Sequence, residues 1–264
     1  MMRSVETHSE GPETMRMKPF AQVLWMAATL AMSGTFGATA GDKPVAVVEL
    51  FTSQGCNSCP KADMLFGELA MRDDIVALAY HVDYWDYLGW KDTLARPENV
   101  MRQESYRKAL GASSKYTPQM VVNGAAHVIG SDRKAVDALI RQNSDDTRVP
   151  LSMKVEGQTV IIAVGAAVGQ VREASLVLAY IGNPETVSVG RGENRGRQLT
   201  YHNPVRDFAT LGMWHGEPMR IEIPLSEFAM HDAGGCAVLL QETRAGKPGP
   251  IIGAAKWSKK KAGL

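Results

Sequence analysis

Between residues 43 and 147, segments with the hydrophobic pattern of a strand alternate with segments that have the pattern of a helix. The near-continuous apolar run from Val45 to Phe51 predicts a central strand that is covered on both faces. A helix is predicted from about Cys56 to Met71, because apolar side chains recur there at the helical spacing i, i+3, i+4 and i+7. The residues of this stripe are Ala62, Leu65, Phe66 and Leu69. Ile75 to Val82 predicts a second strand, and the strand–helix–strand order predicts that the two strands pair in parallel.

A long excursion at residues 83–111 contains an aromatic stretch and then a helix that starts near Pro97. After it, Met120–Val122 and His127–Ile129 are two short apolar segments on either side of Asn123-Gly124. An Asn-Gly pair between two such segments predicts a β-hairpin.

A further helix is predicted after Ser131 or Asp132, either of which can cap its N-terminus. Its apolar face consists of Val136, Leu139 and Ile140. The resulting order, β-α-β-α-β-β-α, predicts an α/β domain at residues 41–147 with a mixed central sheet flanked by helices.

From about Pro150 the pattern changes to short strands with little helix between them. Leu151–Val155 and Thr159–Val164 flank a Glu156-Gly157 turn. Further strands are predicted at Ser175–Ile181, Met219–Ile223, Cys236–Gln241 and Ile251–Trp257. Residues 150–264 are therefore predicted to form a mainly β, sandwich-like C-terminal domain.

The N-terminal residues 1–40 have the pattern of an extension followed by a secretory signal peptide. Arg16 and Lys18 precede an apolar run from Val23 to Met32, and small residues follow, ending in Ala38-Thr39-Ala40. A basic start, a short apolar run and an Ala-x-Ala site predict export with cleavage before Gly41, and hence a periplasmic or secreted protein that leaves the membrane. An uncleaved membrane anchor is the alternative.

Composition adds mainly exclusions. The net charge of +1 provides no strong field that would favour nucleic acid or an anionic membrane as a partner. The three cysteines are too few for a disulfide scaffold, so the core has to come from apolar burial.

Cys56-Asn57-Ser58-Cys59-Pro60 is the string with the clearest chemistry. A strand delivers Cys56 to the first turn of a helix, where free backbone N–H groups and the helix dipole stabilise an anion and lower the pKa of a thiol. Cys59, one turn later, can then resolve a mixed disulfide. Asn57 and Ser58 can donate hydrogen bonds to the thiolate, and Pro60 is tolerated because it falls in the first turn.

The same pair has other readings, namely a zinc half-site, an inert structural disulfide or a Cu(I) site. A structural zinc ion would need two more ligands, and the chain has no second C-x-x-C or H-x-x-x-H motif. A Cu(I) site would use both cysteines with Met64 or Met120 as a soft ligand.

The strand, the helix-borne C-x-x-C pair and Thr117-Pro118 before a later strand resemble the thioredoxin superfamily. The resemblance implies a thioredoxin-like fold for residues 41–147. It also implies that Pro118 is the cis-proline that packs against the disulfide in that superfamily, and that the backbone of Thr117 binds the substrate. An ordinary trans proline at the start of a strand is the alternative.

A narrower resemblance covers about residues 43–257. The strings that carry it are His81–Trp90, Thr117–Gln119, Gly192–Gly196 and Tyr201–Asn203. They are similar to bacterial exported proteins of domain of unknown function family 1223. This resemblance implies a thioredoxin-like fold with a C-terminal extension and no established substrate.

Glu49 is the single charged residue of the first apolar strand. If it is buried, desolvation raises its pKa towards a range that is useful for moving a proton to or from Cys59. The alternative is a carboxylate that reaches solvent or pairs with a lysine.

Tyr84, Trp85 and Trp90 follow the carboxyl end of a parallel strand, where open α/β sheets bind ligands. They are predicted to wall a substrate groove beside Cys56, together with Asn57 and Ser58, or else simply to pack the insertion.

Three further features have alternative readings. The loop Arg191–Arg197 can be a solvated hairpin tip, an anion site, or a segment that closes against the first domain. His81 and Cys236 are interpreted as a structural histidine and a buried free thiol.

Together, these observations predict an exported thiol–disulfide oxidoreductase whose partners are protein thiols or disulfides. Cys56 attacks, Cys59 resolves, and Thr117 and Pro118 position the partner; no organic cofactor or metal is required. The alternatives are a Cu(I)-binding protein and a non-catalytic binding module with a structural disulfide.

Overall fold

The computed structural model describes Pro44 and residues 46–144, 149–167, 169 and 173–259. All of these residues belong to one compact unit. The predicted signal peptide lies outside the described residues and stays a prediction. Within the described part of the chain, no helix is long and apolar enough to cross a membrane.

The first half of the unit contains one four-stranded sheet and three α-helices. In chain order these are β1 (Ala46–Thr52), α1 (Cys59–Ala70), β2 (Ile75–His81), α2 (Pro97–Ala109), β3 (Gln119–Val122), β4 (Ala126–Ile129) and α3 (Arg133–Gln142). The strand order is β2-β1-β3-β4. The pairing of β1 with β2 is parallel, and β3 pairs antiparallel with both β1 and β4. The predicted parallel pair, the hairpin and all three helices are thus present.

Asp132 is the residue that caps α3, where its side chain accepts a hydrogen bond from the Ala135 N–H at 3.1 Å. Asn123 and Gly124 both have positive φ angles in the β3–β4 connection, as the turn chemistry of Asn-Gly requires. These local signals were sufficient to predict both elements.

The two faces of β1 pack against different layers. Val48 and Leu50 contact the apolar stripes of α1 and α3 in one core cluster. Val47 and Phe51, on the other face, belong to a second cluster that also contains residues of the C-terminal half. Because both faces are covered, β1 is apolar along nearly its whole length.

The C-terminal half is mainly β. Its elements are β5 (Leu151–Glu156), β6 (Thr159–Val164), β7 (Ala174–Ile181), β8 (Glu185–Ser188), β9 (Gln198–Tyr201), β10 (Val205–Trp214), β11 (Met219–Pro224), α4 (Leu225–Met230), β12 (Gly235–Arg244) and β13 (Lys247–Ser258). They form a four-stranded sheet β10-β7-β12-β13, a three-stranded sheet β11-β6-β5 and a two-stranded ribbon β8-β9.

The four-stranded sheet is covered on both faces. Val238 and Leu240 of β12 pack towards the three-stranded sheet, in a cluster that includes Ile162. Ala237 and Leu239, on the other face of β12, pack in the cluster that contains Val47 and Phe51 of the first sheet. The protein is therefore a mixed α/β structure with several sheets, mostly β, and its halves share a core. The division at residues 147–150 stays a prediction.

Strands β8, β9 and β10 were not predicted from the sequence. In β10 the exposed and buried positions do not alternate cleanly, because its pairing with β7 shifts register between Val205 and Asp207 and again between Thr210 and Gly212. Such irregularities remove the period of two on which strand prediction depends.

Candidate active site

The segments that carry the predicted chemistry meet at one edge of the first sheet. Thr52, the last residue of β1, pairs with His81, the last residue of β2. Phe51 pairs with Gln119, the first residue of β3. Three segments consequently extend from the same edge, namely the Cys56–Cys59 turn, the segment after His81, and Thr117-Pro118. They meet there although Thr117 follows Thr52 by 65 positions in the sequence.

Cys56 and Cys59 form a disulfide with a Cα–Cα distance of 5.4 Å. The helix α1 begins at Cys59, not at about Cys56 as predicted, so that Cys56 lies in the turn before it. The Cys59 N–H donates to the Cys56 carbonyl at 3.2 Å, which keeps Cys56 directly beside the N-terminus of the helix. Helix ends commonly differ by a residue or two from a pattern-based estimate.

The disulfide is buried, while the residues between the cysteines are exposed. Cys56 and Cys59 are 1% and 0% exposed. Asn57 and Ser58 are both exposed, and the Ser58 Oγ lies 3.4 Å from the Cys56 Sγ. Asn57 and Ser58 are therefore the exposed part of the cysteine turn.

The strand-to-helix turn is held in place by buried and partly buried hydrogen bonds. The Gln54 N–H donates to the Asp92 Oδ2 at 2.8 Å, and the Gln54 Nε2 donates to the Thr93 Oγ1 at 3.0 Å. Trp90 Nε1 donates to the Gln54 Oε1 at 2.8 Å. The insertion at residues 83–111 thereby fixes the conformation of the turn.

The loop Arg191–Arg197 closes over the turn from the C-terminal half. Asn194 is completely buried, and its Nδ2 donates to the carbonyl oxygens of Gln54 and Cys56, both at 2.9 Å. Glu193 accepts a hydrogen bond from the Asn57 N–H at 3.3 Å. Of the three readings of this loop, closure is the one that the structure shows. Sequence analysis singled out its arginines and passed over Asn194, which makes the contact.

Trp85 connects the cysteine turn to Thr117-Pro118. A Cβ atom added at Gly55 would lie 3.0 Å from the Trp85 Cβ, and the Trp85 Nε1 donates to the Thr117 Oγ1 at 2.8 Å. The Thr117–Pro118 peptide bond is cis. Trp85 also stacks on the exposed ring of Tyr87, with centroids 6.4 Å apart.

The other two predicted groove residues are Tyr84 and Trp90. Tyr84 is half-buried, its ring lies 6.1 Å from that of Trp85, and burial raises the pKa of its hydroxyl to about 12. The ring of Trp90 lies against Gly190, at the base of the closing loop. Trp85 and Trp90 thus contact the cysteine turn, at Gly55 and Gln54, and Tyr84 lies beside Trp85.

Glu49 is buried, as one reading of the sequence required, but it does not lie beside Cys59. It accepts a hydrogen bond from Arg102 Nε at 2.7 Å and another from the Tyr106 hydroxyl. Both partners are on α2, and Glu49 shares the face of β1 with Val47 and Phe51, opposite to α1. Glu49 is therefore the anion of a buried ion pair in the core between the sheets, and this placement does not support the proton-shuttle role that the sequence suggested.

A different buried acidic residue lies on α1 one helical turn after Cys59, and sequence analysis missed it. Asp63 is buried on α1, four residues after Cys59, and accepts a hydrogen bond from the Thr52 Oγ1 at 2.8 Å. Burial raises the pKa of Asp63 from 3.8 to about 7, although the charge of His81 and the hydrogen bond from Thr52 act to lower it. The sequence could have indicated its burial, because Asp63 directly follows Ala62 of the buried stripe of this helix.

His81 and Asp92 form a buried ion pair near Asp63. The His81 Nδ1 lies 2.9 Å from the Asp92 Oδ2, and both side chains are fully buried. Burial acts to lower the pKa of His81, but the charge and hydrogen bond of Asp92 outweigh it and raise that pKa. Burial acts to raise the pKa of Asp92, yet His81 lowers it overall. Both directions favour the charged pair.

The two soft ligands of the copper alternative lie in different environments. Met64 is 69% exposed on α1, and Met120 is buried in the core beneath α1 and α3. In the described ranges no three or more His, Cys, Asp or Glu side chains are grouped to hold a metal ion. Cys236 is a buried free thiol whose pKa burial raises.

Comparisons with known proteins give a family and a fold. A family model described as "Protein of unknown function (DUF1223)" matches residues 47–241. The chain is similar to a protein from Agrobacterium tumefaciens whose crystal structure was determined. The two share 43% identity with a TM-score of 0.73, over 82% of this chain and 95% of that one.

A second solved structure, HBP35 of Porphyromonas gingivalis, shares 16% identity with a TM-score of 0.53, over 82% of this chain and 75% of that one, and so shows likeness of fold alone. No curated protein matches the chain.

Proposed function

The chain belongs to the DUF1223 family, and we propose that it is a thiol–disulfide oxidoreductase that acts on protein partners through Cys56 and Cys59. The observation that carries the proposal is the position of the Cys56–Cys59 disulfide. Cys56 lies in the turn after β1, and Cys59 is the first residue of α1. Trp85 connects this turn to Thr117-Pro118.

The first half is proposed to be a thioredoxin-like fold. Its support is the sheet order β2-β1-β3-β4, in which a parallel pair is followed by an antiparallel hairpin. The helices α1 and α3 cover one face of this sheet, and the C-x-x-C turn leads into α1. The four-stranded C-terminal sheet is packed with α2 on the other face.

The reaction proceeds in two exchanges. The Cys56 thiolate attacks one sulfur of a partner's disulfide, which breaks that bond and forms a mixed disulfide with Cys56. Cys59 then attacks the Cys56 sulfur, the Cys56–Cys59 bond forms, and the partner leaves as a dithiol that has gained two electrons. In the opposite direction, the oxidised protein accepts two electrons from a partner dithiol.

The surroundings of Cys56 suit a thiolate. The adjacent N-terminus of α1 provides unpaired N–H groups and a favourable dipole. The Ser58 hydroxyl, 3.4 Å from the Cys56 sulfur, can donate to it. Thr117 and Pro118 lie at the same sheet edge, where the backbone of a partner is positioned. The predicted signal peptide, if it acts as such, takes the protein to a compartment in which disulfides persist.

A second candidate function is favoured by the burial of the disulfide. With Cys56 and Cys59 at 1% and 0% exposure, the bond can serve as a staple in a binding protein. The reduction potential separates the two candidates, because structural disulfides lie below about −300 mV and exchange-active pairs lie between about −270 and −120 mV.

The test of the proposal is capture of partners. Cys59→Ser leaves Cys56 as the attacking thiol without a resolving thiol, so mixed disulfides with partner proteins accumulate in extracts of the producing cell. Cys56→Ser is the matched control, since it removes the attacking thiol and keeps Cys236 unchanged. We expect capture by the first variant alone. Equal capture by both variants, or a reduction potential below about −300 mV, would contradict an exchange function.

A further inference from the structure

Three buried polar atoms without a hydrogen-bond partner in the described structure come from residues that interact with one another. They are Asp63 Oδ2 on α1, His81 Nε2 at the end of β2 and the Tyr201 hydroxyl at the end of β9. The rings of His81 and Tyr201 are in contact, with centroids 4.6 Å apart. Buried polar atoms are nearly always satisfied. The described residues contain ten exceptions, and the grouping of these three around one carboxyl group points to a role.

Asp63 is the member of this group that lies next to the cysteine pair. Residues four apart on a helix are neighbours on one face, with Cβ atoms about 5–6 Å apart, and Asp63 follows Cys59 by four. Both residues are buried. Thr52 occupies one carboxylate oxygen of Asp63, at 2.8 Å, and the other oxygen is the one without a partner.

The titratable groups that act on Asp63 or on His81 come from four other elements. His81, on β2, favours its ionised form, and Asp92, in the segment before α2, disfavours it. Burial raises the pKa of Tyr201, with Asp63 and Asp92 adding to the effect, so that its hydroxyl stays protonated. Glu185 on β8 further favours the charged form of His81. A carboxyl group in these surroundings changes protonation state near neutral pH, with its pKa at about 7.

Building on the proposed function, we propose that Asp63 accepts the proton of the Cys59 thiol when Cys59 resolves a mixed disulfide. The ion pair of His81 and Asp92 acts as a positioning pair that sets the proton affinity of Asp63. This assigns to α1 the proton-transfer role that the sequence suggested for Glu49.

The step is balanced as follows. The S–H bond of Cys59 breaks, its proton moves to the carboxylate of Asp63, and the sulfur lone pair attacks the Cys56 sulfur. The Cys56–Cys59 bond forms, the bond between Cys56 and the partner breaks, and the partner's sulfur leaves as a thiolate. When the protein instead oxidises a partner dithiol, protonated Asp63 returns the proton to the departing Cys59 sulfur.

The test uses the reduced full chain and dithiodipyridine, an aromatic disulfide that releases coloured thiopyridone. The first equivalent released reports attack by Cys56, and the second reports resolution by Cys59. Both rates are measured from about pH 5 to pH 9. General-base assistance contributes about 100-fold or more, so in Asp63→Asn the second release should slow by about 100-fold at pH 7 while the first is unchanged.

Two further variants separate proton transfer from a structural effect. Thr52→Val removes a hydrogen bond that lowers the pKa of Asp63, so it should move the inflection of the second release to higher pH. Glu68→Gln removes an exposed carboxylate of the same helix, which pairs with Arg133, and should change neither release.

The outcomes distinguish this inference from the proposed function. If the wild-type protein releases no first equivalent, Cys56 is unreactive, and the proposed function and the inference fail together. If the first equivalent appears and Asp63→Asn leaves the second release and its pH inflection unchanged, or slows both releases by the same factor, the proton-accepting role of Asp63 is refuted while the proposed function stands.

Discussion

Replacing Asp63 with asparagine should change how the stability of the oxidised protein depends on pH. Burial in the folded protein raises the pKa of this carboxyl group from its ordinary value of 3.8 to about 7, because it disfavours the ionised form. Because the folded pKa is raised, the folded protein holds a proton that the unfolded chain has lost. The free energy of unfolding therefore falls as the pH rises from about 4 to about 7.

The magnitude follows from the two pKa values. Each pH unit between them costs about 1.4 kcal/mol, which amounts to about 4 kcal/mol over the whole interval. Asparagine has a similar shape and keeps an oxygen that accepts from Thr52. Its buried amide nitrogen takes the place of the oxygen without a partner, which costs about 1–3 kcal/mol at every pH. The variant should thus be less stable than the wild type at pH 4 and more stable, by about 1–3 kcal/mol, above pH 7.

The assay is urea unfolding of both oxidised proteins at several pH values between about 4 and 8. The difference between their free energies of unfolding isolates Asp63, because the other titrating groups are common to both chains. Glu68→Gln is the control: the pKa of Glu68 is lowered by Arg133, so its contribution has the opposite sign and is lost as the pH falls. A difference between Asp63→Asn and wild type that stays flat within about 1 kcal/mol across this range would refute the reasoning.

Three other outcomes are expected. Asn194→Ala should speed reduction of the Cys56–Cys59 disulfide by dithiothreitol, because the two 2.9 Å hydrogen bonds that close the loop over the turn are lost. The reduction is monitored through the loss of tryptophan quenching, and an unchanged rate would show that the loop does not limit access. Glu49→Gln should lower the free energy of unfolding, measured in urea, by about 3–5 kcal/mol, because it leaves the buried Arg102 without its anion. It should leave the reduction potential of the disulfide unchanged, and a shifted potential would support a redox role for Glu49. Cys236→Ser should leave both dithiodipyridine rates unaltered, and a lost equivalent would show that the buried thiol reacts.

The polar helix α2 shows where sequence patterns stop being informative. Its bounds were predicted from Pro97 onwards, but its composition is typical of a solvated helix. In the structure it packs through polar side chains: the Asn99 Nδ2 donates to the His81 carbonyl at 2.8 Å, and the Gln103 Nε2 donates to the Gln119 Oε1 at 3.0 Å. Arg102 from the same helix neutralises Glu49. A period of apolar residues could not have revealed any of these contacts.

The sequence by itself determined the local features of this protein. The apolar run of β1, the hairpin at Asn123-Gly124 and the cap at Asp132 are set by side chains within a few residues of one another, and C-x-x-C spacing alone brings Cys56 and Cys59 within reach. The period of the apolar residues indicates which face of a helix or strand is buried, but it does not indicate which other element covers that face.

Only the tertiary structure decided what surrounds the cysteine pair. Asn194 reaches the Cys56 carbonyl across 138 residues of chain, and Thr52 and His81 meet Asp63 because β1, β2 and α1 end or begin at one sheet edge. The same packing directs Glu49 to the opposite face, towards Arg102. The C-x-x-C spacing identified the cysteines. Which carboxylate lies on their side of the sheet, Glu49 or Asp63, follows only from the packing of α1 and α2 on opposite faces of β1.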